Sequence, residues 1–136
     1  MRFRTARRDP GLTVVEGFHA LKHALRFGAP IEEAVAVDPA RLEELAAELA
    51  PDLRGRLAPL VERIDREHLA ELVPLVPSTG VAAIARRPPL DPAALLADAS
   101  PAPVVLLEDP RNMGNIGACV RVAAAAGAAG VLTTGE

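Results

Sequence analysis

The sequence predicts an α/β fold in two domains, and three observations support this. Short runs of β-branched and aliphatic residues alternate with helical segments along the 136 residues. A Pro-rich connector, "RPPLDPAALLADASPAP", interrupts that alternation once. The connector is followed by a strand, a loop, a helix, a glycine and a second strand, which is the pattern of a βαβ unit. We therefore predict domains at 1–87 and 103–136 and a linker at 88–102.

The first domain begins with a basic segment, "MRFRTARRDPG", which we expect to be a flexible arm. Asp N-caps at Asp38 and Asp65 mark two helix starts, and Gly28 marks a helix end. The predicted elements are, in chain order, a strand at 12–17, a helix at 18–27, a strand at 31–37, helices at 39–50 and 65–73, and a strand at 79–87. The apolar stripes that should face the core are Phe18, Leu21 and Leu25; Leu42, Leu45, Ala46 and Leu49; and Leu69, Leu72 and Val73.

The second domain is predicted to contain parallel strands at 104–108 and 130–134, joined by a helix at 116–126 with Asn115 as its N-cap. A single helix and two strands leave one sheet face and one edge uncovered. We therefore expect the segment to be the first part of a larger, incomplete α/β domain.

The composition excludes several classes of protein. Three Phe and no Trp or Tyr largely exclude aromatic platforms for stacking bases. Cys119 is the only cysteine, so we expect no disulfide, no metal site and a reducing, cytoplasmic setting. The longest apolar run, at 122–132, has 11 residues and is too short to span a bilayer, so no membrane association is predicted.

The charge is distributed unevenly. Residues 1–30 carry six basic and two acidic groups, a net of +4, whereas the whole chain has a net charge of −3, so the remainder sums to −7. A basic first part is typical of a segment that meets a polyanion. The basic residues that we expect to bind it are Arg2, Arg4, Arg7, Arg8, Lys22 and Arg26.

The loop at 109–115 follows a predicted strand and precedes a helix, where α/β proteins bind ligands. It is not a dinucleotide-binding loop, because Asn112 occupies the first glycine position and only Gly114 and Gly117 remain. It also lacks the lysine of a phosphate-binding P-loop. A purely structural role is possible, since Asn115 is a good N-cap and Gly117 permits close packing of the helix on the sheet.

Arg121 is the only charged residue of this predicted helix. Helical side chains lean toward the N-terminus, so Arg121 should lie over Gly117, where no side chain obstructs it. Its guanidinium would then be close to the loop and suited to a phosphate or a polarised hydroxyl.

At these residues the chain resembles a known family. "LLEDPRNMGNIGACVRVAAAAGAAGVL" is similar to the first signature motif of the SpoU (TrmH-like) branch of the SPOUT RNA methyltransferases, in which Asn115 and Arg121 match the Asn and Arg of N-x-G-x-x-x-R. "VVEGFHALKHAL" resembles the start of the small RNA-binding domain, similar to ribosomal protein L30e, that often precedes the catalytic domain.

The resemblance implies a small L30e-like α/β domain at 1–87, followed by the first βαβ unit of a SPOUT α/β-knot domain. It implies transfer of a methyl group from S-adenosylmethionine to a ribose 2′-oxygen of ribosomal or transfer RNA by a homodimer. Arg121 and Asn115 would be the catalytic residues. The motifs that form the knot and the cofactor site are absent from the sequence, so no residue is assigned to the cofactor, and we expect the 136 residues alone to be inactive.

Two alternatives remain open at this point. One is an L30e-like RNA-binding module without catalysis, and the other is an α/β domain for a small ligand with an unrelated partner domain. Sequence beyond Glu136 would distinguish them, because a glycine-rich motif followed by a Ser/Asn-containing one favours the methyltransferase.

Overall fold

A computed structural model describes residues 2–97 and 101–135 of the chain. The helices are α1 (Arg2–Ala6), α2 (Phe18–Arg26), α3 (Pro39–Leu49), α4 (Arg66–Leu72), α5 (Pro92–Ala97) and α6 (Met113–Ala125). The strands are β1 (Leu12–Glu16), β2 (Ile31–Ala36), β3 (Glu62–Arg63), β4 (Val81–Arg86), β5 (Val104–Leu107) and β6 (Gly130–Thr133). The predicted α/β fold is confirmed. The chain divides into a first unit, Met1–Pro89, and a second unit, Leu90–Glu136.

The first unit is built on a sheet of four strands in the order β1-β4-β2-β3. β4 is antiparallel to both β1 and β2, and β3 is parallel to β2. β1, β2 and β3 therefore run in the same direction, and their carboxyl ends lie at one edge of the sheet. Helices α2, α3 and α4 each begin within a few residues of one of these ends, so all three N-termini lie along that edge.

Helices cover both faces of this sheet. On one face, Ala83 of β4 packs with buried residues of α2 and α3, including Leu21 and Leu42. On the other face, Ile84 of β4 packs with Leu69 of α4 and with α1. Successive strand residues point to opposite faces, so one strand supplies both halves of the core.

The prediction of a flexible N-terminal arm is wrong. Residues 2–6 form α1, in which Phe3 and Ala6 are each 1% exposed and pack against the sheet. These two apolar residues are three positions apart, on one face of a helix, and they lie among arginines that obscured the pattern. The second sheet face would be partly uncovered without this helix.

The helix caps predicted in the first unit, at Asp38, Asp65 and Gly28, are confirmed. The side chain of Asp38 accepts the N–H of Arg41 at 3.1 Å, and that of Asp65 accepts the N–H of His68 at 2.7 Å. Gly28 has φ +72° and follows α2. The two chain-reversing hydrogen bonds that end such a helix run from Gly28 N–H to the Leu25 carbonyl and from Ala29 N–H to the Ala24 carbonyl.

The segment after α3 was not predicted to have regular structure, and it contributes to the core. Short 3₁₀ turns at Pro51–Leu53 and Ala58–Leu60 lead into β3, and Leu53 and Leu57 are buried. Leu49, predicted to face the core, is 48% exposed because Pro51 ends the helix and these later leucines occupy the core instead.

In the second unit β5 and β6 pair in parallel, as predicted, and α6 connects them. The helix begins at Met113 rather than at 116, and Asn112, not Asn115, is its N-cap. Among the described residues of this unit only Ala123 is a buried hydrophobic residue. Large apolar side chains are exposed on both the strand and the helix, at Leu106, Met113, Val120 and Val122.

The side chain of Glu43 in α3 binds the backbone of the segment between α3 and β3. Its carboxylate accepts the N–H groups of Gly55, Leu57 and Ala58 at 2.7, 3.0 and 2.7 Å, and these bonds lower its pKa from the usual 4.5. We expect Glu43→Ala to lower the free energy of unfolding by about 1–3 kcal/mol, because three backbone donors lose their acceptor. Urea unfolding at neutral pH measures this.

Glu44→Ala is the matched control, because Glu44 makes only an exposed ion pair with Arg41. It should change the free energy of unfolding by less than about 0.5 kcal/mol. Since the pKa of Glu43 is lowered by folding, its contribution should be present above pH 4.5 and be lost as the pH falls through the lowered folded value. Equal effects of the two substitutions would contradict this assignment.

Candidate catalytic loop and nucleic-acid interface

The loop between β5 and α6 is held by contacts within the second unit. Asp109 adopts φ +40°, its N–H donates to Thr134 Oγ1 at 3.1 Å, and its Oδ2 accepts Nε and a terminal nitrogen of Arg111 at 3.0 and 2.7 Å. A Cβ at Gly135 would lie 2.6 Å from Asp109 Oδ1, so only glycine fits there. The start of the loop is therefore fixed by the residues after β6.

Asn115 is not the N-cap that we predicted. Asn112 holds that position, and its Oδ1 accepts the backbone N–H of Asn115 at 3.0 Å. The segment 109–115, "DPRNMGN", contains two asparagines that could cap the helix, and the earlier one is used. As a result the side chain of Asn115 is exposed in the first turn of α6 and has no hydrogen-bond partner within the described residues.

Arg121 lies where the sequence predicted. One of its terminal nitrogens is 3.4 Å from the position that a Cβ would take at Gly117. The side chain therefore leans toward the N-terminus of α6, through the space that Gly117 leaves. Among the described residues of the second unit, Arg111 is paired with Asp109, whereas Arg121 has no acidic partner. Its guanidinium is exposed and available to an anion.

Three of the six basic residues predicted to bind a polyanion are ion-paired. Arg2 pairs with Glu32 and Glu33, each at 3.2 Å, and Arg7 pairs with Glu16. Arg26 makes two hydrogen bonds to the carboxylate of Asp52, at 2.8 and 2.5 Å. These bonds lower the pKa of Asp52 to about 2.

The other three, Arg4, Arg8 and Lys22, have no acidic partner within the described residues. Arg4 lines a cavity of about 300 Å³ together with His68, Glu71 and Leu72. Lys22 Nζ lies 6.0 Å from the centroid of the Phe18 ring. The structure thus divides the predicted set into cations that are paired with carboxylates and cations that have no carboxylate partner among the described residues.

A row of three rings lies on α2 and at its C-terminal end, and the composition alone did not reveal it. The rings of His19 and His23 lie 4.7 Å apart at 75°, and those of His23 and Phe27 lie 6.0 Å apart at 15°. Phe27 is 84% exposed. The four-residue spacing of these three rings in "HALKHALRF" was the available signal. The pKa of His23 is lowered by desolvation and by the neighbouring His19, Lys22 and Arg26, which favours a neutral imidazole.

Within residues 2–97 and 101–135, no group of three or more His, Cys, Asp or Glu side chains is arranged to hold a metal ion. In the same residues, no helix has the length and apolar character needed to cross a membrane.

Nearly the whole chain is similar to solved structures of methyltransferases. An rRNA methyltransferase from Sinorhizobium meliloti with bound AdoMet is 25% identical and superposes with a TM-score of 0.64, covering 98% of this chain and 48% of that one. The SpoU methyltransferase AviRb from Streptomyces viridochromogenes, in complex with AdoMet, is 22% identical with a TM-score of 0.68, covering 98% and 52%. An RNA 2′-O ribose methyltransferase is 23% identical with a TM-score of 0.59, covering 99% and 53%.

The chain shares its fold with SpoU-type RNA methyltransferases. It spans about half the length of these proteins. No protein-family model matches the sequence, and no curated protein does.

The Arg26–Asp52 pair can be tested directly in the free protein. The pKa of Asp52 is about 2 in the wild type, and the hydrogen bonds from Arg26 are the main cause of this low value. We therefore expect it to rise toward the usual 3.8 in Arg26→Ala. Carboxyl carbon chemical shifts followed by NMR during acid titration measure this. Lys22→Ala, one turn away on α2, should leave the pKa of Asp52 unchanged. An Asp52 pKa near 3.8 in the wild type would show that Arg26 is free.

Proposed function

We propose that the chain is part of an S-adenosylmethionine-dependent RNA 2′-O-ribose methyltransferase of the SpoU branch. The observation that carries the proposal is the unpaired guanidinium of Arg121, held over Gly117 at the start of a helix that follows a parallel strand. The shared fold with methyltransferases supports the same function. The Sinorhizobium meliloti protein, which matches with and without bound AdoMet, is an rRNA methyltransferase, so ribosomal RNA is the substrate that we favour over transfer RNA.

Within this proposal Arg121 binds and orients the substrate. A guanidinium remains protonated at neutral pH, so it acts as a donor rather than as a general base. Its planar pair of N–H groups matches the oxygens of a phosphate. By binding the phosphate next to the target ribose, Arg121 would orient the 2′-hydroxyl for in-line attack on the methyl group. The free side-chain amide of Asn115 would add a hydrogen bond to the same nucleotide.

S-adenosylmethionine supplies a methyl group on a sulfonium. Two polar side chains of the loop before α6 are already engaged and do not fit the cofactor. The Asp109 carboxylate is taken by Arg111, and the Asn112 Oδ1 by the N–H of Asn115. We therefore assign no residue of this chain to the cofactor and limit the mechanism to the RNA side of the reaction.

The first unit would bind the RNA substrate, in the manner of an L30e-like domain. Arg4, Arg8 and Lys22 are the cations that we assign to phosphates, because they have no carboxylate partner. Arg2, Arg7 and Arg26 would first have to leave theirs. We also propose that the active protein is a cytoplasmic homodimer.

A non-catalytic RNA-binding module is the second candidate. It is favoured by one observation: nearly all the buried hydrophobic residues of the described chain belong to the first unit. Activity measurements separate the two candidates, because only the methyltransferase depends on Arg121.

Arg121→Ala, made in the longest polypeptide that the gene encodes, should lower the rate of methyl transfer by at least about 100-fold, because the ribose is no longer aligned. Arg121→Lys should recover little activity, since an ammonium lacks the planar fork. Incorporation of a labelled methyl group into ribosomal RNA measures the rate.

Arg111→Ala is the control for Arg121. Arg111 lies on the same loop but is paired with Asp109, so its loss should reduce activity only several-fold. Full activity of Arg121→Ala would remove that residue from the mechanism. Cofactor affinity, measured by calorimetry, should be the same for all three variants and the wild type.

The salt dependence of RNA affinity tests whether the cations of the first unit without a carboxylate partner bind phosphates and the ion-paired ones do not. Replacing Arg4, Arg8 and Lys22 by Gln should reduce the slope of log affinity against log salt by about 0.7 per residue for single-stranded RNA. Arg26→Gln should change the slope little, because Asp52 already neutralises Arg26. Circular dichroism controls for folding, and equal slope changes for Lys22→Gln and Arg26→Gln would contradict the division.

A further inference from the structure

We propose that the rings of His19, His23 and Phe27, which we call the α2 ring platform, stack unpaired bases of single-stranded RNA. The inference rests on the proposed function and specifies how the first unit recognises its substrate. A platform of this kind selects unpaired nucleotides, because bases within a duplex are already stacked on one another.

The rings are arranged as a continuous ladder. They lie four residues apart, so each follows the previous one along the same side of α2. His23 lies nearly parallel to Phe27, at 15° and 6.0 Å between centroids, and His19 meets His23 edge-on at 4.7 Å. The ladder therefore ends in Phe27, whose ring is open to an incoming base.

Phe27 takes no part in the hydrophobic core of the first unit. It is 84% exposed and belongs to neither hydrophobic cluster of the first unit. It stands immediately after the last residue of α2, where Gly28 turns the chain away from the helix. The other two phenylalanines of the sequence, Phe3 and Phe18, are buried in the two clusters.

The charge around the rings suits a nucleic acid. Helix α2 contains no acidic residue, and Lys22 lies between the two histidines in sequence without a carboxylate partner. Arg26 is neutralised by Asp52, so it contributes little net charge. The Nζ of Lys22 lies 6.0 Å from the centroid of the Phe18 ring, near the start of α2. A single strand that runs along the rings would thus meet a cation on the same helix, and single-strand-binding surfaces combine rings and cations in this way.

A protein or lipid partner fits this surface less well. The exposed apolar area is one aromatic ring followed by two imidazoles, whose edges carry polar nitrogens, rather than a broad aliphatic patch. A lipid surface would be expected to require several clustered cations, whereas one unpaired cation lies on this helix.

The test compares Phe27→Ala with the wild-type 136-residue chain. Fluorescence anisotropy with an unstructured RNA of about 12 nucleotides should give an affinity about 5- to 100-fold weaker for the variant, since stacking contributes that much per base. The salt slope should be unchanged, because no phosphate contact is lost. Phe27→Trp should retain the wild-type affinity. Leu75→Ala, which removes another side chain that is 80% exposed, is the control and should have no effect.

A second readout identifies stacking itself. The fluorescence of 2-aminopurine within the RNA should be quenched on binding to the wild type and less so on binding to Phe27→Ala. Affinity for a fully paired duplex should be the same for both. Unchanged single-strand affinity in Phe27→Ala, or an equal loss for duplex and single strand, would overturn the platform.

The outcomes for the platform and for the proposed function are separable. Wild-type affinity and quenching in Phe27→Ala, together with RNA methylation by the full-length protein, would remove the platform and leave the methyltransferase. Phe27-dependent quenching without any methyl transfer by the full-length protein would support the platform and overturn the methyltransferase.

Discussion

Every helix of the first unit is positioned by β4, which pairs with both β1 and β2 and is buried along five consecutive residues. Because it is antiparallel to both neighbours, β1 and β2 must run in the same direction, and their helices must begin at the same sheet edge. Its alternating side chains form the centre of two separate hydrophobic clusters. A polar residue in place of Ala83 would therefore disturb the packing of α2 and α3. One in place of Ile84 would disturb the packing of α1 and α4.

Ion pairing on this scaffold decides which cations can act. The chain has 15 basic residues, but a count does not reveal which are available. Glu32 illustrates the point, since it accepts hydrogen bonds from both Arg86 and Arg2, and the contact with Arg86 is the main reason that its pKa is lowered. Such exposed pairs contribute little to stability. Under the proposed function they would compete with RNA phosphates for the same guanidinium groups, whereas Lys22 and Arg121 have no carboxylate partner among the described residues.

The sequence correctly predicted the features that depend on residues close together in the chain. Asp38, Asp65 and Gly28 act through bonds to residues at most five positions away, and Arg121 reaches Gly117 within one helical turn, so their roles follow from spacing. The predictions from sequence were wrong or incomplete where contacts between residues distant in the chain determine the structure. Phe3 makes α1 a core helix only because a sheet face lies beneath it, and Arg26 is occupied by Asp52, which is 26 residues away. The choice of Asn112 over Asn115 as N-cap could not be made from composition, because both residues are good caps.

Under the proposed function, cations without a carboxylate partner bind RNA and ion-paired cations do not. The most direct measurement is the NMR signal of each arginine Nε–H group, followed while unstructured RNA is added to the chain at low salt. We expect the signals of Arg4 and Arg8 to shift, and those of Arg26 and Arg86, which donate through Nε to Asp52 and Glu32, to remain nearly in place. Large shifts at Arg26 and Arg86 with none at Arg4 and Arg8 would contradict the account.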